Sequence, residues 1–414
     1  MVNKSEFIVG LDIGTTKIAA VVGQKTPDGK VDIIGVGSHP SKGLRKGVVV
    51  NIESTVESIR HAIEDAEVIA DCHISNVFAG VAGSHISSTN SLGIIAIKDK
   101  EVSPNDIDRV IDAAKAIAIP NDREIIHILP QEYIIDDQDG IKEPLGMSGV
   151  RLEAKVHIVT AAISSCQNIV KSANKVGLNV LDIVLEPIAS SEAVLSPEEK
   201  ELGVALIDIG GGTSDITVFQ NGSVIHTAVI PIGGNNVTND IATCLRIPTM
   251  TAEELKRRYG TAMVRNAKEN EEIEVPSTGG REPRKISRRN LAEIIQPRIE
   301  ELLMFIHDEL KKAVPNGYLT AGVVLTGGST LLDGISEATE HHLGIPVRVG
   351  YPSGIGGLVD IVNSPEYATG VGLVIFGAKT GLASAYNFSN VSDDISLFAK
   401  VKHRIAEWFG FLRA

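Results

Sequence analysis

The chain has 414 residues, 43% of them apolar, enough for two or more domains with cores of their own. A net charge of −13 excludes nucleic acid as the main partner, because neutralising a phosphate backbone takes clustered Lys and Arg. Cys72, Cys166 and Cys244 are odd in number and widely spaced, which excludes a disulfide framework and a cysteine metal site.

The opening, MVNKSEFIVGLDIG, has no signal-peptide core, and no run of about 18 apolar residues exists, so a soluble cytosolic protein is expected. Residues 7–13 and 17–24 read as strands joined by a Gly-Thr-Thr turn, followed by a strand at 31–37. Val56, Ile59, Ile63 and Ala66 share one face of a helix over 54–70. Residues 84–162 read as a separate small α+β unit. It has a strand at 93–97, a helix opening at Ser103-Pro104, and strands at 125–135 and 151–161. A helix at 164–176 leads to an apolar strand at 178–186, and 203–219 repeats the opening hairpin.

A helical stretch at about 234–268 comes next. A polar, turn-rich excursion follows at 269–288, then an amphipathic helix at 288–313 and a buried strand at 321–328. Residues 366–382 form a Gly- and Ala-rich helix. A polar linker, 386–394, precedes a distinct tail, 395–414.

Three glycine loops carry the chemistry. In 11-LDIGTTK-17 and 207-IDIGGGTSD-215 an apolar strand ends on an aspartate, then Gly and small hydroxylated residues. Gly-rich hairpins let backbone N–H groups approach phosphate oxygens, with Thr15, Thr16 and Thr213 adding hydroxyls and Lys17 a point charge. Asp12 and Asp208, facing one cleft, suit a hydrated Mg²⁺, which keeps its waters and uses few carboxylates. A third loop, 327-GGSTLLDGI-335, follows a strand and opens a helix, aiming its N–H groups at a ligand. One such loop is an ordinary turn more often than a site; two matching ones plus a third reverse that judgement. There is no G-x-x-x-x-G-K-[ST], H-E-x-x-H or G-x-S-x-G motif.

In the tail, Leu397, Phe398, Val401, Ile405, Trp408, Phe409 and Leu412 form one stripe at the α-helical period, flanked by Lys400, Lys402, Arg404 and Arg413. A helix docked on the protein's own core is the usual meaning of such a pattern. The basic bias within an acidic chain and the polar linker favour a helix lying in an anionic membrane surface.

The phrases LDIGTTK, LEPIASSEAVL, IDIGGGTSDITVF, GGREPRKISRRNLAEIIQPRIEELL, VVLTGGSTLLDGI and YATGVGLVIFGAK closely resemble the FtsA family of bacterial cell-division proteins. That family lies within the actin, Hsp70 and sugar-kinase superfamily. The resemblance covers nearly the whole chain and implies an α/β, two-lobed actin-like ATPase with RNase H-like subdomains. The first-lobe core would be 1–83 with 163–200 and 366–385, carrying an inserted subdomain, 84–162. The second lobe would be 201–235 and 311–365, with an outer subdomain, 236–310.

It also implies ATP and Mg²⁺ held by Asp12, Gly14, Thr15, Thr16 and Lys17, by Asp208, Gly210, Gly211, Gly212, Thr213 and Asp215, and by Gly327, Gly328 and Ser329. Glu186 matches a position that orients an attacking water, and equally suits a helix start before Pro187. Glu253 and Lys256 match residues flanking adenine and ribose, or form a surface ion pair. The family's role is that of a filament on the cytoplasmic membrane face, with at most weak hydrolysis. It binds the tail of the tubulin-like FtsZ through the outer subdomain, where Arg284, Arg288, Arg289 and Arg298 form a basic group, and it recruits later division proteins to the septum. A pilus-assembly ATPase and a small-molecule kinase of the superfamily are the competing readings.

Overall fold

The structure, a computed structural model, describes residues 7–381 apart from 269, 277–282 and 316–317. The linker and the amphipathic tail therefore lie outside the described residues. β1 (Phe7–Ile13) and β2 (Lys17–Lys25) form the expected hairpin, and β3 (Val31–Pro40) extends it antiparallel. A short ribbon, β4 (Leu44–Arg45) and β5 (Val48–Val49), leads into α1 (Ile52–Ala70). This helix starts two residues earlier than the periodicity predicts. Asn51 caps it, its side chain accepting from the Ser54 N–H. The helix lies directly on strand backbone, since a Cβ at Gly37 would fall 1.9 Å from the Ala62 carbonyl oxygen. β6 (Asn76–Val81), which the sequence reading missed, returns parallel to β1.

The inserted unit follows: β7 (Ser87–Ala96), α2 (Pro104–Ala114), β8 (Arg123–Ile135), β9 (Gln138–Ile141) and β10 (Arg151–Ala162). Its sheet runs β7-β10-β8-β9, and Ser103 and Asp106 close a capping box at the start of α2. Ile107, Val110, Ile111, Leu152 and Ile158 give it a core of its own. β7 begins six residues before the expected strand because its first half, SSTNSL, is polar. Pairing with β10 from Ser87↔Thr160 to Ala96↔Arg151 overrides that composition. α3 (Ile163–Lys175) and β11 (Asn179–Leu185) complete the first lobe's central sheet.

α4 (Glu186–Val194) and α5 (Pro197–Leu202) carry the chain to a second sheet, which opens with β12 (Val204–Ile209), β13 (Ser214–Gln220) and β14 (Ser223–Ile230). The single helical stretch expected at 234–268 is instead two helices, α6 (Gly234–Leu245) and α7 (Thr249–Tyr259). Arg246 turns left-handed at φ 53°, and Pro248 precedes the second helix. The polar excursion contains a hairpin, β15 (Glu272–Val275) with β16 (Arg284–Ser287), that buries Ile273 and Val275. α8 (Arg288–Ala313) follows as expected. β17 (Val323–Thr326), α9 (Ile335–Leu343) and β18 (Val347–Val349) finish the second sheet. The chain then returns through β19 (Ile355–Gly357), α10 (Val359–Val362) and α11 (Ala368–Thr380).

The two sheets share one plan. Their orders are β11-β6-β1-β2-β3, extended by β19, and β18-β17-β12-β13-β14, each with an antiparallel triplet and two parallel strands. β12 shows how they join. Ala205, Ile207 and Ile209 face the core built with α6 and α8, while Val204 and Leu206 face the core of the first sheet. A strand buried on both faces reads as a continuous apolar run, which is why VALIDI shows no alternation.

Candidate functional site

The β1–β2 and β12–β13 turns occupy equivalent places in the two sheets and meet across a cleft of about 350 Å³. All three glycine loops line it, together with Glu186, Glu253 and Lys256, so every residue assigned above to nucleotide or metal reaches one cavity. The hairpins are in contact. A Cβ at Gly211 would lie 1.8 Å from Thr16 Oγ1, and one at Gly212 would lie 2.7 Å from Thr15 Oγ1. These glycines are needed first by the opposing threonines. Thr15 Oγ1 accepts from the Gly47 N–H at 3.0 Å, which leaves its own proton to be donated elsewhere.

Carboxylates crowd the floor. Asp12, Asp208 and Asp215 are 8%, 8% and 3% exposed. Burial pushes Asp12 up to about 7, against the pull of Lys17 and with the push of Asp208. Burial and Asp208 push Asp215 up to about 8, against a 3.0 Å hydrogen bond from Thr213. Asp208 is raised by burial although Ser190 Oγ and Thr369 Oγ1 donate to its Oδ2 at 2.7 and 3.3 Å. Glu186 is held well above the usual carboxylate range by burial, then by Asp12, Asp215 and Asp208. Among the described residues the buried Asp215 Oδ1 has no hydrogen-bond partner. Among the described residues no three His, Cys, Asp or Glu side chains form a direct metal cage. A cation here would be held through water, and the orphaned oxygen with the mutual repulsion of the acids suits one.

Several assignments change in detail. Strand β11 stops at Leu185, so Glu186 is the first residue of α4 as well as a cleft residue. His127 of β8, buried in the insert, accepts from the Leu185 N–H at 2.9 Å and steadies that junction. Glu253 and Lys256 do form an ion pair, at 2.7 Å, on the cleft wall, where Lys256 also donates to the Gly234 carbonyl at 3.1 Å and to Thr238 Oγ1 at 2.9 Å. The third loop does not open directly into an α-helix. Gly328–Leu331 is a 3₁₀ turn, and α9 begins only at Ile335. Ser329 Oγ donates to the Gly210 carbonyl at 2.8 Å and ties this loop to the second.

The basic group is not an open basic face. Arg298 is bidentate to Asp240, at 2.6 and 3.1 Å, pairs with Glu301 and lines the cleft. Arg288 pairs with Glu271 at 3.1 Å and Asp333 at 3.0 Å, and Arg289 with Glu293 at 3.3 Å. Arg284 donates to the Leu245 carbonyl. Sequence reading missed Ser190, Thr369, Gly47 and the Glu366–Tyr367 pair, whose partners lie too far along the chain for any local pattern.

Gly327 has φ +88°, and a Cβ there would lie 2.3 Å from Asp208 Oδ1 and 2.7 Å from the Ile209 carbonyl oxygen. Gly327→Val is therefore expected to destabilise the ligand-free chain by about 2–4 kcal/mol, from backbone strain plus overpacking. A nucleotide-free thermal melt unchanged from wild type would refute this.

Two sheets of one plan, with α4 and α11 packed together between them and their glycine hairpins meeting over a shared cleft, define an actin-like two-lobed α/β protein. Solved structures agree on the fold. The PilM–PilN type IV pilus biogenesis complex matches with a TM-score of 0.66 at 16% identity, over 90% of this chain and 98% of that one. MreB5 of Spiroplasma citri, solved bound to ADP, gives 0.55 at 15%, over 93% and 99%. The profile of cell division protein FtsA matches residues 205–372, and that of the SHS2 domain inserted in FtsA matches 83–160. FtsA of Pseudomonas aeruginosa is 51% identical over 410 residues, 98% of each chain, and FtsA of Escherichia coli K12 is 44% identical over 384 residues, 91% of each. The chain belongs to the FtsA family of cell-division proteins.

Proposed function

We propose that the cleft binds ATP with Mg²⁺, and that ATP serves chiefly to set the relation between the lobes of a division scaffold. The observation that carries this reading is the meeting of three glycine loops, Lys17 and the carboxylates of Asp12, Glu186, Asp208 and Asp215 around one cavity. An MreB of the same fold solved with ADP supports the ligand class. Asp12 and Asp208 would hold the cation through water, and the cation, when bound, would offset phosphate charge. Thr15, which accepts from Gly47, keeps its hydroxyl proton for a phosphate oxygen, whereas that of Thr213 is given to Asp215, and Glu253 and Lys256 border the sugar and base. Glu186 lines the same cavity, and the charge of a bound cation would favour the ionised carboxylate that it needs to accept a proton from water. Equilibrium dialysis of the full chain with Mg²⁺-ATP tests the reading, and no binding at millimolar ATP would end it.

The same proposal gives the protein a filament-forming role on the cytoplasmic membrane face at the septum, tethering FtsZ and gathering later division proteins. Family membership and the full-length match to division proteins support it. Among the described residues no helix is long and apolar enough to cross a membrane. Attachment is assigned to 395–414, whose apolar stripe and basic flanks suit an anionic surface. Trp408→Glu is expected to abolish pelleting with anionic liposomes while leaving ATP binding unchanged; pelleting like wild type would place the anchor elsewhere.

The FtsZ tail is assigned to the outer subdomain, 236–310, with Arg284 and Arg298 as its charged contacts. Arg298 lines the cleft and Arg298→Ala would also unpair Asp240, so exposed Arg284 carries the test. Arg284→Ala is expected to weaken binding of the tail peptide several-fold, as for a charge at an interface rim. Unchanged affinity by fluorescence anisotropy would remove it.

A further inference from the structure

Lys17 is the cation of the first loop, yet its ammonium does not stand free in the cleft. Its Nζ donates to the Glu366 carbonyl at 3.0 Å, lies 3.6 Å from Glu366 Oε2, and sits 3.7 Å from the centre of the Tyr367 ring. A carbonyl, a carboxylate and an aromatic face thus hold one charge, from residues 349 and 350 positions away.

The segment they belong to touches every loop of the cleft. The Pro365 carbonyl accepts from the Gly327 N–H at 3.2 Å and from Thr326 Oγ1 at 3.3 Å. Thr369 Oγ1 lies 3.3 Å from Asp208 Oδ2 and 3.0 Å from Ser190 Oγ, which gives its own proton to Asp208, so the Thr369 proton is shared between the two. Residues 365–369 therefore read the first loop through Lys17, the second through Asp208 and the third through Gly327. They also open α11.

We propose that the Glu366 carboxylate is an internal anion-mimic that occupies Lys17, held against the Tyr367 ring, when phosphate is absent and yields it when phosphate arrives, making Glu366 a residue that sets the affinity of the cleft. This rests on the reading of the cleft as a nucleotide site. The Glu366 carboxylate holds Lys17 by charge at 3.6 Å, and a phosphate accepting a charge-assisted bond from the same ammonium competes for that charge and draws Lys17 away from it. The ring is indifferent to which anion wins, because a cation over a π-face keeps its remaining donors available. The half-exposed Glu366 carboxylate makes the competition mild enough to be reversible.

The test is titration calorimetry with Mg²⁺-ATP on the full chain, comparing wild type, Glu366→Gln, Lys17→Met and the double variant. Glu366→Gln keeps the backbone carbonyl that Lys17 also uses, so the turn retains its shape. It is expected to tighten ATP binding about five-fold, the scale of a partly exposed ion pair. Lys17→Met is expected to weaken binding, and in its background Glu366→Gln is expected to change nothing. Because the ring holds Lys17 whichever anion is bound, the tightening by Glu366→Gln is expected to persist in a Tyr367→Phe background, which keeps the ring. Tightening that persists undiminished in the Lys17→Met background would show a general charge effect and overturn the proposal. So would an unchanged affinity in Glu366→Gln. A wild type that fails to bind ATP at all would remove the nucleotide reading and this inference with it, a result separable from the other two.

Discussion

At pH 8 the ligand-free protein carrying Asp215→Asn is expected to be more stable than wild type, and at pH 4 the two are expected to coincide. Asp215 titrates at about 8 in the folded chain, against an ordinary value of 3.8. Its folded pKa is raised, so between those values the native state holds a proton that the unfolded state has lost. Stability then falls as pH rises through that window, by up to about 1.4 kcal/mol per pH unit. Asn is neutral throughout and escapes the loss. Over the window the gain would be on the order of a few kcal/mol, after allowance for relaxation around a buried charge. Urea unfolding at pH 4, 6 and 8 measures it. A variant no more stable than wild type at pH 8 would mean that Asp215 ionises freely and that the floor of the cleft is wetter than its burial implies.

The second large effect is on binding, and its sign depends on the cation. With Mg²⁺ present, Asp12→Ala is expected to weaken ATP binding about 10–100-fold, the usual loss when a group that orients a metal's surroundings is removed. With the metal chelated, the same change takes a negative charge away from an anion's path and is expected to leave ATP affinity unchanged or to raise it. The variant's ligand-free stability at pH 8 should not fall, because Asp12 and Asp208 repel each other. Calorimetry with Mg²⁺ and with EDTA separates these outcomes. An equal loss in both buffers would assign Asp12 to shaping the loop and not to the cation.

Local patterns made much of this legible. Both glycine hairpins were readable because an apolar strand ending on Asp-x-Gly is short-range information, and α8 because its stripe runs unbroken from Leu291 to Leu310. β6 and β9 were missed for opposite reasons. The first is a short apolar run that periodicity cannot distinguish from a buried helix, and the second is the polar Gln138–Ile141, held by pairing with β8. Of the break between α6 and α7 only Pro248 is marked in the sequence, because a left-handed arginine at 246 has no mark comparable to a glycine. At the site, residue membership was legible and partnership was not. Lys17 was read toward phosphate and Arg298 toward a partner, whereas each is already engaged with a distant part of its own chain.

The inserted unit branches from the first sheet, yet its side chains reach the outer edge of the second. Ser88, Asn90 and Gln131 donate to the carbonyls of Thr227, Ile225 and Val224 on β14, at 2.9, 3.2 and 3.0 Å, and His157 meets Thr227 Oγ1 at 2.9 Å. β14 ends its sheet, and an uncovered terminal strand is a template on which other chains can add β-structure. Here those carbonyls are occupied by side chains that cannot propagate a ladder. The insert thereby acts as a stopper against unregulated strand addition. With that route to aggregation closed, any contact between copies of the chain would have to be made by other surfaces.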